Sequence, residues 1–162
     1  MASKLTLATL LKPFDKKTIE KVMFLREFVR EILPQANELI YDNYNALAIG
    51  WSLSEKQTHI ICSMAIYRGN ENLHFGFLFG SSLSDPKKIL LGSGKQYRYV
   101  LVQEVNTFPK AYIKKLVLQS QVHALAKLNQ QAAVDSKGKT ILKGVSSKKR
   151  APSKSARKKK DS

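Results

Sequence analysis

Behind Asp15, the apolar residues Ile19, Val22, Met23, Phe28, Val29, Ile32 and Leu33 recur at three- and four-residue steps. That spacing, with a carboxylate placed to cap the first free N–H groups, predicts an amphipathic helix over 15–33. Pro34 ends it by removing an N–H and turning Leu33 away from helical angles. Residues 35–41 then read as a short second helix in a new direction. From Ala46 the pattern changes to short β-branched and aromatic runs between polar turns, which predicts strands over 46–51, 60–67, 73–79 and 97–102. The connectors 52–58 and 68–72 are short enough for hairpins. The longer stretch 80–96 predicts a turn at Asp85-Pro86 and one helical turn through Leu90. Phe108-Pro109 opens a last helix in which Tyr112, Ile113, Leu116, Val117, Leu125 and Leu128 fall mostly on one stripe, ending near Gln130. The expectation is an α+β fold of two layers, an antiparallel meander sheet packed with N- and C-terminal helices. It is organised as an arm (1–14), a domain (15–132) and a tail (133–162).

Charge changes the reading of that tail. The chain has 162 residues, with 28 Lys and Arg against 12 Asp and Glu. Eleven of the basic residues and one acid, Asp161, lie within 136–162, leaving that stretch at +10 and the preceding 135 residues at +6. The tail has no aromatics and few large apolar residues, so it is expected to be disordered in isolation. Lys148, Lys149, Arg150, Lys154, Arg157, Lys158, Lys159 and Lys160 can neutralise phosphates and release counterions, giving weak, sequence-independent and salt-sensitive binding to DNA or RNA. A plain solubility tail explains the same composition, and an anionic membrane surface is a third option that no lipidation signal or apolar anchor accompanies.

Cys62 is the only cysteine, which excludes an intramolecular disulfide and a four-ligand Cys/His zinc site. The apolar stretch 5–11 is too short and interrupted for a secretory signal, and no run reaches the roughly 18 to 20 apolar residues of a membrane span. The expected location is the cytoplasm.

Three constellations can carry chemistry. Gly92, Ser93, Gly94, Lys95 and Arg98 can form an anion nest of backbone N–H groups with two cations beside it. Ile89 and Gln96 stand where a P-loop needs Gly and Ser or Thr, so it is not one. The same glycines equally serve to turn the chain into a strand. Tyr41, Asp42, Tyr44 and Asn45 offer phenols, an amide and a carboxylate as a ligand rim, or else close a turn. Glu20, Glu27 and Glu31 share one helical face, a ligand row suited to iron; interleaved Lys16, Lys17, Lys21, Arg26 and Arg30 make ion pairing at i, i+4 the alternative. His59 and Cys62 are three apart in a strand and face opposite ways, His123 is isolated, and no nucleophile-elbow or metalloprotease motif occurs, which argues against an enzyme.

The run Glu38-Leu39-Ile40-Tyr41-Asp42-Asn43-Tyr44-Asn45-Ala46-Leu47 is followed by Gly50-Trp51, Ser54-Glu55-Lys56, Leu83-Ser84-Asp85-Pro86, Leu90-Leu91-Gly92-Ser93-Gly94-Lys95 and Arg98. In this order, across about residues 15 to 130, the set resembles the YdhG-like domain family, a domain of unknown function. The resemblance implies an α+β domain of frataxin-like arrangement without established catalytic activity. For some relatives it implies an iron chaperone that hands iron to iron–sulfur or haem assembly. The chain departs from the pattern at Lys56, where relatives commonly carry Arg, and at Tyr99, where His often follows the arginine. Two functions follow. The first is a non-enzymatic ligand- or iron-binding domain of the YdhG-like kind, with Lys95 and Arg98 holding an anion while Tyr41–Asn45 orient it. The second is a nucleic-acid-associated protein that uses its basic tail for affinity and its domain to recruit an unknown protein partner.

Overall fold

A computed structural model describes residues 5–129 and 136–152. The chain opens with a short helix α1 (Leu7–Leu11), whose Leu7, Leu10 and Leu11 join Phe14 in the core, so the stretch expected as an arm packs with the domain. In α2 (Lys16–Ile32) the Asp15 carboxylate accepts the Lys17 N–H, and Val22, Leu25, Phe28 and Val29 form the buried stripe. Pro34 ends it as expected. The next segment differs from expectation: residues 35–41 are no second helix, because Asn37–Asp42 forms strand β1. Its Leu39 and Ile40 are both buried, on opposite faces of the sheet, and a strand covered on both sides lacks the alternation that marks strands in a sequence.

β2 (Ala46–Ser52), β3 (Ile60–Tyr67), β4 (Leu73–Phe77) and β5 (Arg98–Leu101) continue from β1 as an antiparallel meander. The helical turn expected through Leu90 is absent there, and the stretch carries a 3-10 turn at Gly80–Ser82 instead. After α3 (Lys110–Asn129), β6 (Thr140–Val145) pairs parallel with β1, making a six-stranded mixed sheet of order β5-β4-β3-β2-β1-β6. The expected four-stranded meander is therefore incomplete, and the expected disorder of 133–162 does not hold over 140–145. Backbone pairing accounts for both corrections. β1 has an open edge, and a strand with few apolar side chains can still satisfy it. Asn37 Oδ1 accepts the N–H groups of Lys137 and Lys139, each at 3.1 Å, and Lys139 C=O accepts the Glu38 N–H at 2.7 Å. Lys154, Arg157, Lys158, Lys159 and Lys160 lie outside the described residues, as does the expected domain end at 132.

Strand alternation gives the sheet two different faces. Ile40, Leu47, Ile49, Trp51, Met64, Ile66, Leu73, Phe75 and Phe77 point to one side and are buried. The helices lie over this side: Phe28 of α2 and Phe108, just before α3, meet Phe75 and each other edge to face. The Ser120 hydroxyl of α3 donates to the Ile61 carbonyl, where β3 departs from regular register with β2. The opposite side carries Tyr41, Ala48, Ala65, His74 and Tyr99, all partly exposed. Among the described residues no helix is long and apolar enough to cross a membrane.

Phe28 joins both helical elements to the sheet. Phe28→Ala should lower unfolding stability by about 3–5 kcal/mol, read from urea denaturation, because the three-ring contact cannot collapse onto the cavity.

Candidate functional site

β1 carries two acids on its helix-facing side, and both are buried. The Glu38 carboxylate is 1% exposed and accepts from Arg26 Nε at 2.8 Å, Arg26 Nη2 at 2.9 Å, Arg30 Nη2 at 2.6 Å, Thr140 Oγ1 at 2.7 Å and Trp51 Nε1 at 3.3 Å. Burial pushes its pKa up. The hydrogen bonds from Arg26 and Thr140 and the charges of both arginines outweigh that, so it lies below the usual carboxylate value. The hydrogen bond to Glu38 in turn raises Arg26. Arg26 and Arg30 thus reach inward to the sheet instead of pairing along α2. Glu20, Glu27 and Glu31 stand exposed on the helix surface. Among the described residues no group of three or more His, Cys, Asp or Glu could hold a metal ion.

Asp42, at the other end of β1, pairs with Arg68 and with Lys149, whose Nζ lies 3.0 Å from Oδ2 and 2.6 Å from the Asp42 carbonyl. Arg68 Nε also donates to the Asn43 carbonyl at 3.1 Å, and the Arg150 N–H donates to the Tyr44 carbonyl at 2.9 Å. The expected ligand rim is therefore a junction. Asp42 and the Tyr44 carbonyl hold the C-terminal chain and the Asn43 carbonyl holds Arg68, while the Tyr44 and Asn45 side chains are exposed and burial pushes the Tyr41 phenol up. From β6 the chain crosses this end of the sheet, with the Ser146 N–H on Asp42 C=O, and brings the Arg150 guanidinium beside Gly69 in the β3–β4 turn.

The glycine segment does not assemble the expected nest. Arg98 Nη1 donates to the carbonyls of Gly94 and Tyr97, so the loop presents acceptors to its own arginine. Ser81 fastens the loop from below, its hydroxyl donating to Lys95 C=O at 2.9 Å. Gly92, at φ +115°, lets Leu91 turn back and bridge to Tyr99 along the edge of β5. Ser93 and Lys95 are exposed. This segment and Tyr41–Asn45 lie at diagonal corners of the sheet. β1 and β5 are four strand spacings apart, about 19 Å, and run the same way, so Asp42 at the end of β1 and Arg98 at the start of β5 lie at opposite ends of the sheet. The two segments do not form one site.

Other reactive groups are packed away. Burial pushes the Cys62 thiol far up. Ser54 Oγ lies 2.7 Å from His59 Nδ1, but both residues are buried and the hydroxyl also accepts the Lys56 N–H, which makes the pair a turn brace. A cleft of about 400 Å³ opens between residues 84–87 and the start of α3, lined by Pro86, Lys87, Tyr112, Lys115, Leu116 and Gln119. Asp85 beside it is tied to the Tyr112 hydroxyl and to the N–H groups of Ile89 and Leu90. Those bonds overcome its burial and hold it below the usual carboxylate range.

The sheet side away from the helices shows an arrangement that the linear pattern did not single out. His74 lies between Tyr67, at 4.7 Å between ring centroids, and Tyr99, at 4.2 Å and nearly parallel. Tyr97 follows Tyr99 at 6.0 Å and covers Gly76, where a Cβ would stand 2.1 Å from its hydroxyl oxygen. Burial and the neighbouring Tyr67 and Tyr99 push Tyr97 up to about 12, against a hydrogen bond with Ser63. Burial lowers His74, whose Nδ1 has no hydrogen-bond partner among the described residues, so stacking holds the ring. The signal in the sequence was the equal parity of Tyr67 and Ala65 on one strand and of Tyr99 and Leu101 on another. It needed the register to become a surface.

No protein-family model, curated protein or solved structure matches the chain.

Glu38→Ala leaves two arginines facing a buried site without their partner and should cost about 3 kcal/mol of stability. Because Glu38 is held below its unfolded value, its contribution is complete above the ordinary carboxylate range and is lost as pH falls through the lower folded value. Chemical denaturation from about pH 7 down to about pH 3 should therefore show a shallower loss in Glu38→Gln than in the native chain.

Proposed function

We propose that the protein binds nucleic acid without catalysing a reaction on it, and that its C-terminal basic segment supplies the affinity. The observation that carries this reading is the fixed placement of that segment. Lys137, Lys139, Lys143, Lys148, Lys149 and Arg150, with no acid among them, lie along the edge strand β6 and the chain on either side of it, which Asn37, Glu38 and Asp42 anchor to the sheet. All but Lys149 extend from the surface without a carboxylate partner among the described residues. Cations already held in place lose less freedom on meeting a phosphate backbone than cations on a free tail. The five further basic residues between 154 and 160 add to the same charge.

The ligand-site alternative is less well supported, since it required Tyr41–Asn45 and Gly92–Arg98 to converge. The electrostatic reading asks only for phosphate contacts, which position a nucleic acid without reading its sequence.

Binding of fluorescein-labelled duplex DNA and RNA, followed by anisotropy across a salt series, tests the proposal. For the full chain carrying Lys148→Gln and Arg150→Gln, the slope of log K against log salt on duplex DNA should flatten by roughly 1.8, the loss of two phosphate contacts. An unchanged slope and affinity would overturn it.

A further inference from the structure

The open side of the sheet is built as a shallow trough. Tyr41, Ala48, Ala65 and His74 are directly paired from β1 to β4, so they form one row on one face. Two alanines make the floor and two aromatic rings the walls, three strand spacings or about 14 Å apart. Tyr67 leans beside His74 and extends that wall, 38% exposed despite its ring. Towards the start of β3 the trough is closed by Ile60, whose side chain fills the space over Gly50, and by Tyr97 over Gly76. The other end is crossed by residues 146–150, with the Arg150 N–H on the Tyr44 carbonyl. It leads to the β3–β4 turn, where Arg150 lies against Gly69, two residues from Tyr67.

We infer that this trough is a stacking surface for the bases of single-stranded nucleic acid, with Tyr67 and His74 as one wall and Tyr41 as the other. The inference rests on the proposed role of the basic segment and adds to it the form of nucleic acid that is bound. Three features select this occupant. A floor of methyl groups between standing rings accepts a flat, apolar face and offers no acid to repel a phosphate. Every base has such a face, and stacking on aromatic side chains is tolerant of sequence. His74 stacks on Tyr99 while Tyr67 meets it tilted by 55°, which leaves the part-exposed Tyr67 ring at the end of the column for a base to stack on. Finally, the cationic Arg150 guanidinium stands beside Gly69 at the β3–β4 end of the trough, placed to meet a phosphate. A strand whose bases lie in the trough would pass its phosphates to that end. A duplex hides the faces of its bases and could use only the charges.

The test compares single-stranded oligo(dT) and oligo(U) of twelve nucleotides with a duplex of equal length, on the full chain. Tyr67→Ala should weaken single-strand binding roughly tenfold or more while leaving duplex binding and the salt slope unchanged, and Tyr67→Phe should bind as the native chain does. Equal loss for both single strands assigns the site to the base stack, whereas a loss confined to oligo(U) adds recognition of the ribose hydroxyl. If Tyr67→Ala binds single strands like the native chain while Lys148→Gln with Arg150→Gln weakens them, the stacking surface is wrong and the charge-based reading stands. If neither variant changes binding, both fall.

Discussion

The buried carboxylate of Glu38 is the interaction on which the rest of the arrangement depends. A charge taken out of water on the core side of a strand must be met by opposite charge and by hydrogen bonds, or it destabilises the fold by several kcal/mol. Here α2 supplies two guanidinium groups, β2 an indole N–H and β6 a hydroxyl. The helix is thereby fixed over β1, and β6 is given a reason to attach to an edge that its own side chains could hardly hold. Asp42 repeats the solution four residues later on the same face, binding Arg68 from the β3–β4 turn and Lys149 from the C-terminal chain. One strand thus secures the C-terminal segment at both ends, with Ile40 between its two acids contributing to the core.

This division of labour also explains where charge is left over. The arginines of α2 are drawn inward, so its exposed glutamates have no matching row of cations from those positions, and the unneutralised positive charge collects along β6 and the crossing chain. The helices cover one sheet face, and the other carries the buried Leu39 and Ile60 at one end and small residues with a short aromatic column over the rest. Basic edge and aromatic face meet at the end of the sheet where Arg150 reaches the β3–β4 turn. Binding by charge along a backbone and stacking of bases are separable contributions, and the fold places their candidate residues on adjoining surfaces.

The parts of the fold that were legible in the chain are those with one exposed and one buried side. α2 shows its stripe through Val22, Phe28 and Val29, although Leu25 is buried and Met23 exposed against that reading, and the meander strands show runs of suitable length between polar turns. β1 was hidden by being buried on both faces, and β6 by drawing its attachment from backbone pairing and two distant acids rather than from apolar side chains. The polar groups of Tyr41–Asn45 and Gly92–Arg98 stood out in the sequence. Their partners did not: Asp42 goes to Arg68 and Lys149, and Arg98 to the carbonyls of its own loop.

By itself, then, the sequence determined the kind of each periodic element, the stopping of α2 at Pro34 and the concentration of positive charge after residue 136, because these depend on neighbours within a turn or two of the chain. Only the tertiary structure decided which strands pair, which carboxylates are buried, and that Tyr41, Ala48, Ala65 and His74 share a row. Those facts depend on register between strands far apart in sequence, where a shift of one residue would turn every side chain to the other face.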